Sequence, residues 1–343
     1  MYKERHHYIP RFYLKNFAYD ENKKFLYVYE YKGKVFRSSI KDVGIKKGFY
    51  TFINKFTKRK TNIVEDFFAS VENKTAQILD KIIKNKKLNI DINEKEWLSL
   101  FLSILIIRTP RFASTLENFE IKTMINIIKI IAQNPEGFFN FVKKNLELDM
   151  KDNEIEQLRK SFLEIDKKFI ITIENGKAYF FKRAMEGVLL LKDIFLKLKK
   201  WHLLINNTYY PFITSDNPVI IQKAKYLPEK INKGFAYGTI VFPISPKLCL
   251  FLRNKPLKKD IIEINNKDHV KKINYSIMLL SYRFIFSNIN SSKIKELYDS
   301  IPIESRQLVE VSTFANRFII TSINPMIDEE IDFDHPCPPN EKK

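Results

Sequence analysis

Two histidines stand side by side at positions 6 and 7. Imidazole is both the side chain that titrates nearest neutral pH and the commonest metal ligand. On an extended strand neighbours point to opposite sides, so His6 and His7 would not share one ion, whereas in a turn they would be able to. Two readings stay open: one ring serves as a metal ligand or general acid/base, or one hydrogen-bonds the structure while the other is solvated. A second polar set, Thr214-Ser215-Asp216-Asn217-Pro218, follows one apolar run and precedes another. Small polar residues at a strand end, closed by proline, make a tight turn whose side chains can face a cleft. Asp216 would then ligate a hard cation such as Mg²⁺, with Asn217 or Ser215 assisting. The alternative is a turn closed on itself by the Asp216 side chain.

Glu65 and Glu72 lie seven residues apart, hence nearly on one face of a helix. Glu72 has apolar residues on both sides of its turn and is the better placed to hold a metal or a water; a solvated helix edge is the plain alternative. Arg108 and Arg111 bracket Thr109-Pro110, where cations complement a negative helix terminus or grip phosphate. The scheme that unites these residues is metal-dependent hydrolysis of nucleic-acid phosphodiesters. In it His6 or His7, Glu72 and Asp216 hold the ion or activate water, with His7 and Asp216 as direct ligands. Arg11, Arg108 and Arg111 steady phosphate, helped by Ser215 and Asn217. Carboxylate-rich ligation favours Mg²⁺ or Mn²⁺, and histidine favours Zn²⁺. Two other schemes use the same residues: a non-catalytic nucleic-acid-binding or protein-interaction module, and an enzyme acting on a small nucleotide or other anion.

Other chemistries lack their residues. There is no GxSxG spacing for a serine nucleophile and no HExxH, and His202, His269 and His335 have no ligand-spaced neighbours. Glycine totals eight, with no phosphate-cradling motif of the Rossmann or P-loop kind. Nothing points to a nucleotide cofactor, haem or an iron–sulfur cluster. The two cysteines, Cys249 and Cys337, form no CxxC pair, which argues against a disulfide framework or a cysteine zinc site. Cys249 reads as a small buried hydrophobe.

Three kinds of segment position these groups. The first block is aromatic and basic, and Phe25 to Tyr31 is rich in strand formers; Lys32-Gly33-Lys34 offers a turn before Val35-Phe36-Arg37, so a hairpin is expected. A third short strand is expected to end at Phe49-Tyr50-Thr51-Phe52. From about residue 62 to 200 the period becomes helical: Val64, Phe67, Phe68, Val71, Ile78, Leu79 and Ile82 recur at three- and four-residue spacing. Asn93 with Glu96 resembles an N-cap with its capping box, and Pro110 disfavours helical geometry at Thr109. Further helices are expected at 116–133, 135–146, 153–167 and 181–200. Beyond Trp201 strands return at 219–221, 239–242, 248–252, 283–287, 307–313 and 317–322, with helices at 267–280 and after 287.

The chain carries +19 net charge with a pI near 9.5, and residues 1–60 hold +11 of it. Clustered cations attract phosphate, which makes DNA or RNA the expected partner. An abundance of Lys, Ile, Asn and Phe would also follow from AT-rich codons, and only twelve of the 59 basic residues are Arg, the more shape-specific phosphate ligand. No signal peptide is read at the N-terminus. The longest apolar run, Trp97 to Ile107, is eleven residues, against about 20 for a membrane span, so a buried helix and a cytoplasmic protein are expected.

Several of these stretches also resemble a known family. His6-His7-Tyr8-Ile9-Pro10-Arg11-Phe12-Tyr13-Leu14-Lys15-Asn16-Phe17 is similar to the signature of a bacterial family catalogued as domain of unknown function 4238. Leu26-Tyr27-Val28-Tyr29, Phe49-Tyr50, Arg108-Thr109-Pro110-Arg111, Phe212-Ile213-Thr214-Ser215-Asp216-Asn217-Pro218-Val219 and Pro243-Ile244-Ser245-Pro246 fit it too. The resemblance runs from residue 6 to about 320 and implies an architecture, not a chemistry. The expected fold is α+β: an N-terminal hairpin, a central helical layer and a C-terminal mixed or antiparallel sheet. The expected organisation is one domain over 1–325, with a basic β-rich lobe (1–60), a helical part (61–200) and a β-rich part with helices (201–325). An acidic, proline-bearing loose tail (326–343) follows.

Overall fold

The computed structural model describes residues 5–47, 52–53, 60–61, 63–145, 150–168, 184–224, 234–303, 305, 310–314 and 317–322. Its internal contacts divide into two compact units. One is built from Met1–Ala113 and Phe181–Gln307, the other from Ser114–Phe180 and Leu308–Asn324.

The first unit holds strands β1 (Arg5–His7), β2 (Phe25–Glu30), β3 (Val35–Ser39), β4 (Ile45–Lys47), β5 (Phe52–Ile53) and β6 (Lys60–Thr61) from the N-terminal end. From the C-terminal part come β7 (Lys200–Asn206), β8 (Thr214–Ser215), β9 (Ile220–Gln222), β10 (Thr239–Ser245), β11 (Leu248–Arg253), β12 (Ile261–Ile264) and β13 (Phe284–Ser287). The expected hairpin forms as β2 and β3, with Leu26 and Val28 buried on one face. It does not stand alone: β13 pairs antiparallel with β2, giving the order β3-β2-β13-β8. Strands from both ends of the chain thus share one sheet. The second sheet, β12-β7-β11-β10-β9, is antiparallel except for the parallel β12–β7 pair. Its β10 and β11 are buried at every position, so they read as continuous apolar runs rather than alternating ones.

Helix α1 (Arg11–Leu14) precedes the hairpin, and α2 (Ile63–Asn85) and α3 (Ile92–Ile107) form the helical layer beside the segment Val188–Asp193. Helix α3 is buried on most faces, from Leu98 through Ile107 except at Leu100. Its N-cap lies two residues earlier than the Asn93–Glu96 pattern predicts. The Asp91 carboxylate accepts from the Glu94 N–H at 2.8 Å, and Glu94 accepts from the Asp91 N–H at 3.0 Å. Both stretches satisfy the same four-residue rule; the earlier one wins because Ile92 and Asn93 continue the helix. At the other end α3 stops at Ile107 as expected, but Pro110 then opens α4 (Pro110–Gln133) instead of a loop reaching to 116. A missing N–H costs nothing at the first position of a helix. Among the described residues no single helix is long and apolar enough to cross a membrane.

In the second unit α4 continues with α5 (Pro135–Asn145), α6 (Asp152–Leu163) and α7 (Ile165–Lys168). Ala132, Phe138, Val142 and Ile155 form its core, with the Phe138 and Phe162 rings edge to face at 5.6 Å. Strands β14 (Glu310–Phe314) and β15 (Arg317–Ser322) pair as a hairpin. The helix expected over 267–280 spans those residues, and the one expected over 181–200 ends at Leu198, before β7. Phe49 to Thr51 and the tail at 326–343 lie outside the described residues. The architecture is α+β.

Candidate functional site

Strand β1 is extended, so its two histidines part: His6 is buried and His7 half-buried. The pairing of β1 with β4 depends on Gly44, whose φ is +65° and whose carbonyl accepts from the Tyr8 N–H at 2.7 Å. A Cβ there would lie 2.9 Å from the Ile9 side chain. The conformation and the close approach both require glycine.

His7 Nε2 lies 3.2 Å from the Lys41 carbonyl oxygen. A carbonyl only accepts, so Nε2 carries the proton and Nδ1 the lone pair. Burial is the main cause that lowers the His7 pKa to about 4; Arg11 follows, then Arg5 and Arg108, against the opposing bond to Lys41. The ring is therefore neutral at physiological pH, and three guanidinium groups make its surroundings electropositive. Arg5 pairs with Asp42 at 3.0 Å and Arg108 with Glu72 at 2.7 Å. Arg11 is exposed and makes no ion pair among the described residues.

Arg108 is buried at the C-terminal end of α3 and donates through Nε to the Tyr8 carbonyl at 2.8 Å. Its guanidinium lies 5.3 Å from the Phe68 ring centre. Glu72, half-buried on α2, is thus the partner of a buried cation, while Glu65, expected on nearly the same face, is half-buried as well. Arg111, the second residue of α4, donates to the Ser281 carbonyl at 3.0 Å. Neither arginine acts at a free helix end; each ties the α3–α4 corner to a distant backbone.

Asp216 is fully buried. One carboxylate oxygen accepts from the Tyr282 N–H at 2.7 Å, and the other from the N–H groups of Arg283 and Phe284 at 2.7 and 2.8 Å. The self-bonded turn is made by Ser215 instead: its hydroxyl donates to the Asn217 carbonyl at 2.8 Å and accepts from the Asn217 N–H at 3.1 Å. The Asn217 amide donates to the Leu280 carbonyl at 2.9 Å. Asp216, Asn217 and Arg111 together hold the link between helix Lys267–Leu280 and β13. Burial raises the Tyr8 phenol pKa well above its usual value, and the Asp216 carboxylate adds to the shift. Tyr8 therefore connects the two halves: its carbonyl meets Arg108 and its ring lies in the field of Asp216.

The sequence reading missed Tyr13 and Tyr8 as members of this assembly. The Tyr13 hydroxyl donates to the Pro243 carbonyl at 2.7 Å and meets the Thr214 hydroxyl at 2.6 Å, while its ring stacks on Phe242 at 5.0 Å. Their signal was the polar end of a tyrosine in an apolar run, which demands a buried partner. The opening motif, Arg108-Thr109-Pro110-Arg111, the Thr-Ser-Asp-Asn-Pro turn and Pro243 of the Pro-Ile-Ser-Pro stretch meet in one buried polar assembly. Among the described residues no three His, Cys, Asp or Glu side chains gather as metal ligands. The arrangement offers one neutral, half-buried imidazole, an exposed arginine that makes no ion pair among the described residues, and a buried hydrogen-bonded network.

No curated protein and no solved structure matches this chain. A family does: the one described as Protein of unknown function (DUF4238), matched over residues 5–291. That span contains every motif that meets in the buried assembly, and the chain belongs to this family.

Proposed function

We propose that this protein binds nucleic acid, engaging backbone phosphate at the corner formed by His7 and Arg11. The observation that carries the reading is the cationic field around a neutral His7, in which Arg11 alone of the three arginines is exposed without an ion pair among the described residues. A phosphate there gains the charge of Arg11, while Arg5 and Arg108 are already paired with Asp42 and Glu72. Residues 1–60 carry +11 of the net charge, which supports attraction to phosphate. Filter binding of single- and double-stranded DNA and RNA at low and moderate salt tests it. Wild-type protein is expected to retain nucleic acid at low salt, and Arg11→Glu to weaken binding about tenfold or more. Wild-type protein that retains none at low salt overturns the reading.

A second reading, hydrolysis assisted by a divalent cation, draws support from the His7 Nδ1 lone pair, which makes no hydrogen bond among the described residues. An imidazole nitrogen so presented suits a metal ligand or a proton acceptor. The two carboxylates of that scheme, Glu72 and Asp216, already accept from Arg108 and from three backbone N–H groups. Incubation of nucleic acid with Mg²⁺, Mn²⁺ or Zn²⁺ and with chelator decides it. Cleavage that continues unchanged in chelator, after bound metal is shown to be gone, overturns a metal mechanism; no cleavage under any condition leaves binding alone.

A further inference from the structure

We infer that the open end of the β2–β3 hairpin is a stacking platform for unpaired bases, so that the nucleic acid this protein takes is single-stranded; the inference rests on the phosphate reading above and adds the strandedness. The register pairs Phe25 with Ser39 and Tyr27 with Arg37, and residues directly opposite each other leave the same face of a sheet. Tyr19, which precedes β2, lays its ring 4.8 Å from that of Tyr27 with the planes tilted by 32°. Two exposed rings, Tyr19 and Phe25, and a guanidinium therefore share one patch, with the half-buried Tyr27 packed against the core beside Tyr19. Phe25 is 43% and Tyr19 36% exposed, whereas single exposed apolar residues elsewhere need no explanation.

The patch has a definite limit. Farther along the same face Tyr29 is fully buried, and its hydroxyl donates to the Ile289 carbonyl at 2.7 Å. Only the end toward Phe25 stays open, and there β3 is the edge strand of its sheet. Charge decides what such a patch fits. Lys23, Lys24, Arg37 and Lys41 stand exposed around it. Of the acids nearby, Asp20 engages its carboxylate with the N–H groups of Lys24 and Phe25 at 2.6–3.0 Å, and Glu21 is the other acid of that loop. Aromatic faces flanked by cations match a strand whose bases stack while its phosphates pair. A duplex hides its base faces and gains nothing from the rings.

The platform also leads to the phosphate corner. Ser39, opposite Phe25, accepts through its hydroxyl from the Lys41 N–H at 3.2 Å, and the Lys41 carbonyl is the acceptor of the His7 ring. Through Lys41, the patch of Tyr19 and Phe25 is thus linked by backbone and hydrogen bonds to the His7 ring.

Fluorescence polarisation tests this with labelled oligo-dT and oligo-U of about 15 nucleotides and a duplex of equal length. The single strands are expected to bind more tightly than the duplex. Tyr19→Ala with Phe25→Ala should weaken single-strand binding roughly tenfold or more, since stacking on each ring is a substantial share of such affinity. Duplex binding should stay within about twofold, and Phe25→Trp, which keeps a ring, should retain single-strand affinity; circular dichroism checks that each variant is folded. Aromatic variants that leave single-strand affinity unchanged, or that lower single-strand and duplex affinity alike in folded protein, overturn the platform. If Arg11→Glu still weakens binding in that case, the phosphate reading stands without it. Wild-type protein that binds neither form removes the phosphate reading and the platform with it.

Discussion

The Asp216 carboxylate is fully buried and three backbone N–H groups point at it. Bonds of this kind to an ionised acceptor contribute more than neutral ones, and a buried donor left unmatched is costly. Asp216→Asn keeps one acceptor oxygen and turns the other into a donor facing N–H groups. It is expected to lower stability by about 3 kcal/mol, read from urea-induced unfolding, while the protein that remains folded keeps its affinity for nucleic acid. His7 behaves in the opposite sense, since its neutral form is favoured. The unfolded chain takes up a proton near pH 6.5, the folded one only near 4. Between those values the unfolded state binds more protons, so stability is complete above about pH 6.5 and declines as pH falls toward 4. Because the ring is partly exposed, solvent screening keeps the effect modest. Melting temperatures across that window should show the slope, and His7→Gln should flatten it.

At the scale of elements, the corner between α3 and α4 and the short strand β1 do most of the positioning. Arg108, the residue that caps the end of α3, reaches the Tyr8 carbonyl, and Arg111 leaves the first turn of α4 for the Ser281 carbonyl. Pro110 sits between them at a position where its ring fits a helix start, so the change of direction is compatible with two intact helices. Strand β1 reaches the same place only because Gly44 permits the left-handed turn beneath it. Gly44→Ala meets both the conformational cost of φ +65° and the 2.9 Å approach to Ile9. It is expected to destabilise by about 1–2 kcal/mol and to perturb the His7 titration. Thermal unfolding, with the imidazole signals followed by NMR, checks both.

For the whole molecule, the distribution of charge matters more than its total. The N-terminal sixty residues carry +11 of +19, and their described part contains both the phosphate corner and the aromatic patch. Binding that depends on released counterions weakens steeply with salt, with a log–log slope of roughly −0.7 for each neutralised phosphate of a single strand. Affinity is expected to fall sharply between low and moderate salt, and Arg11→Ala should make the slope shallower by about one contact. An unchanged slope would place Arg11 outside the footprint. The buried assembly behind the corner has a different task. It joins strands from both ends of the chain, so the described hairpin at 25–39 is held in one sheet with strands from residues 214–287.

Local rules explain what the amino-acid sequence determined by itself. The hairpin at 25–39, the helix at 267–280, the buried run at 248–253 and the stop of α3 before Pro110 each follow from periodicity, turn residues or proline geometry within a few positions. The polar motifs were visible as motifs, and their uneven charge was legible as well. Their partners were not. Asp216 finds its donors 66 to 68 residues downstream, Arg108 reaches back 36 residues to Glu72 and 100 to Tyr8, and Tyr13 meets Thr214 across 201. A carboxylate in a proline-closed turn looks the same in sequence whether it faces a cation or a row of backbone N–H groups. Chain closure decides between them: once the helical layer and the two sheets are packed, a buried charge must take the donors that the fold brings to it.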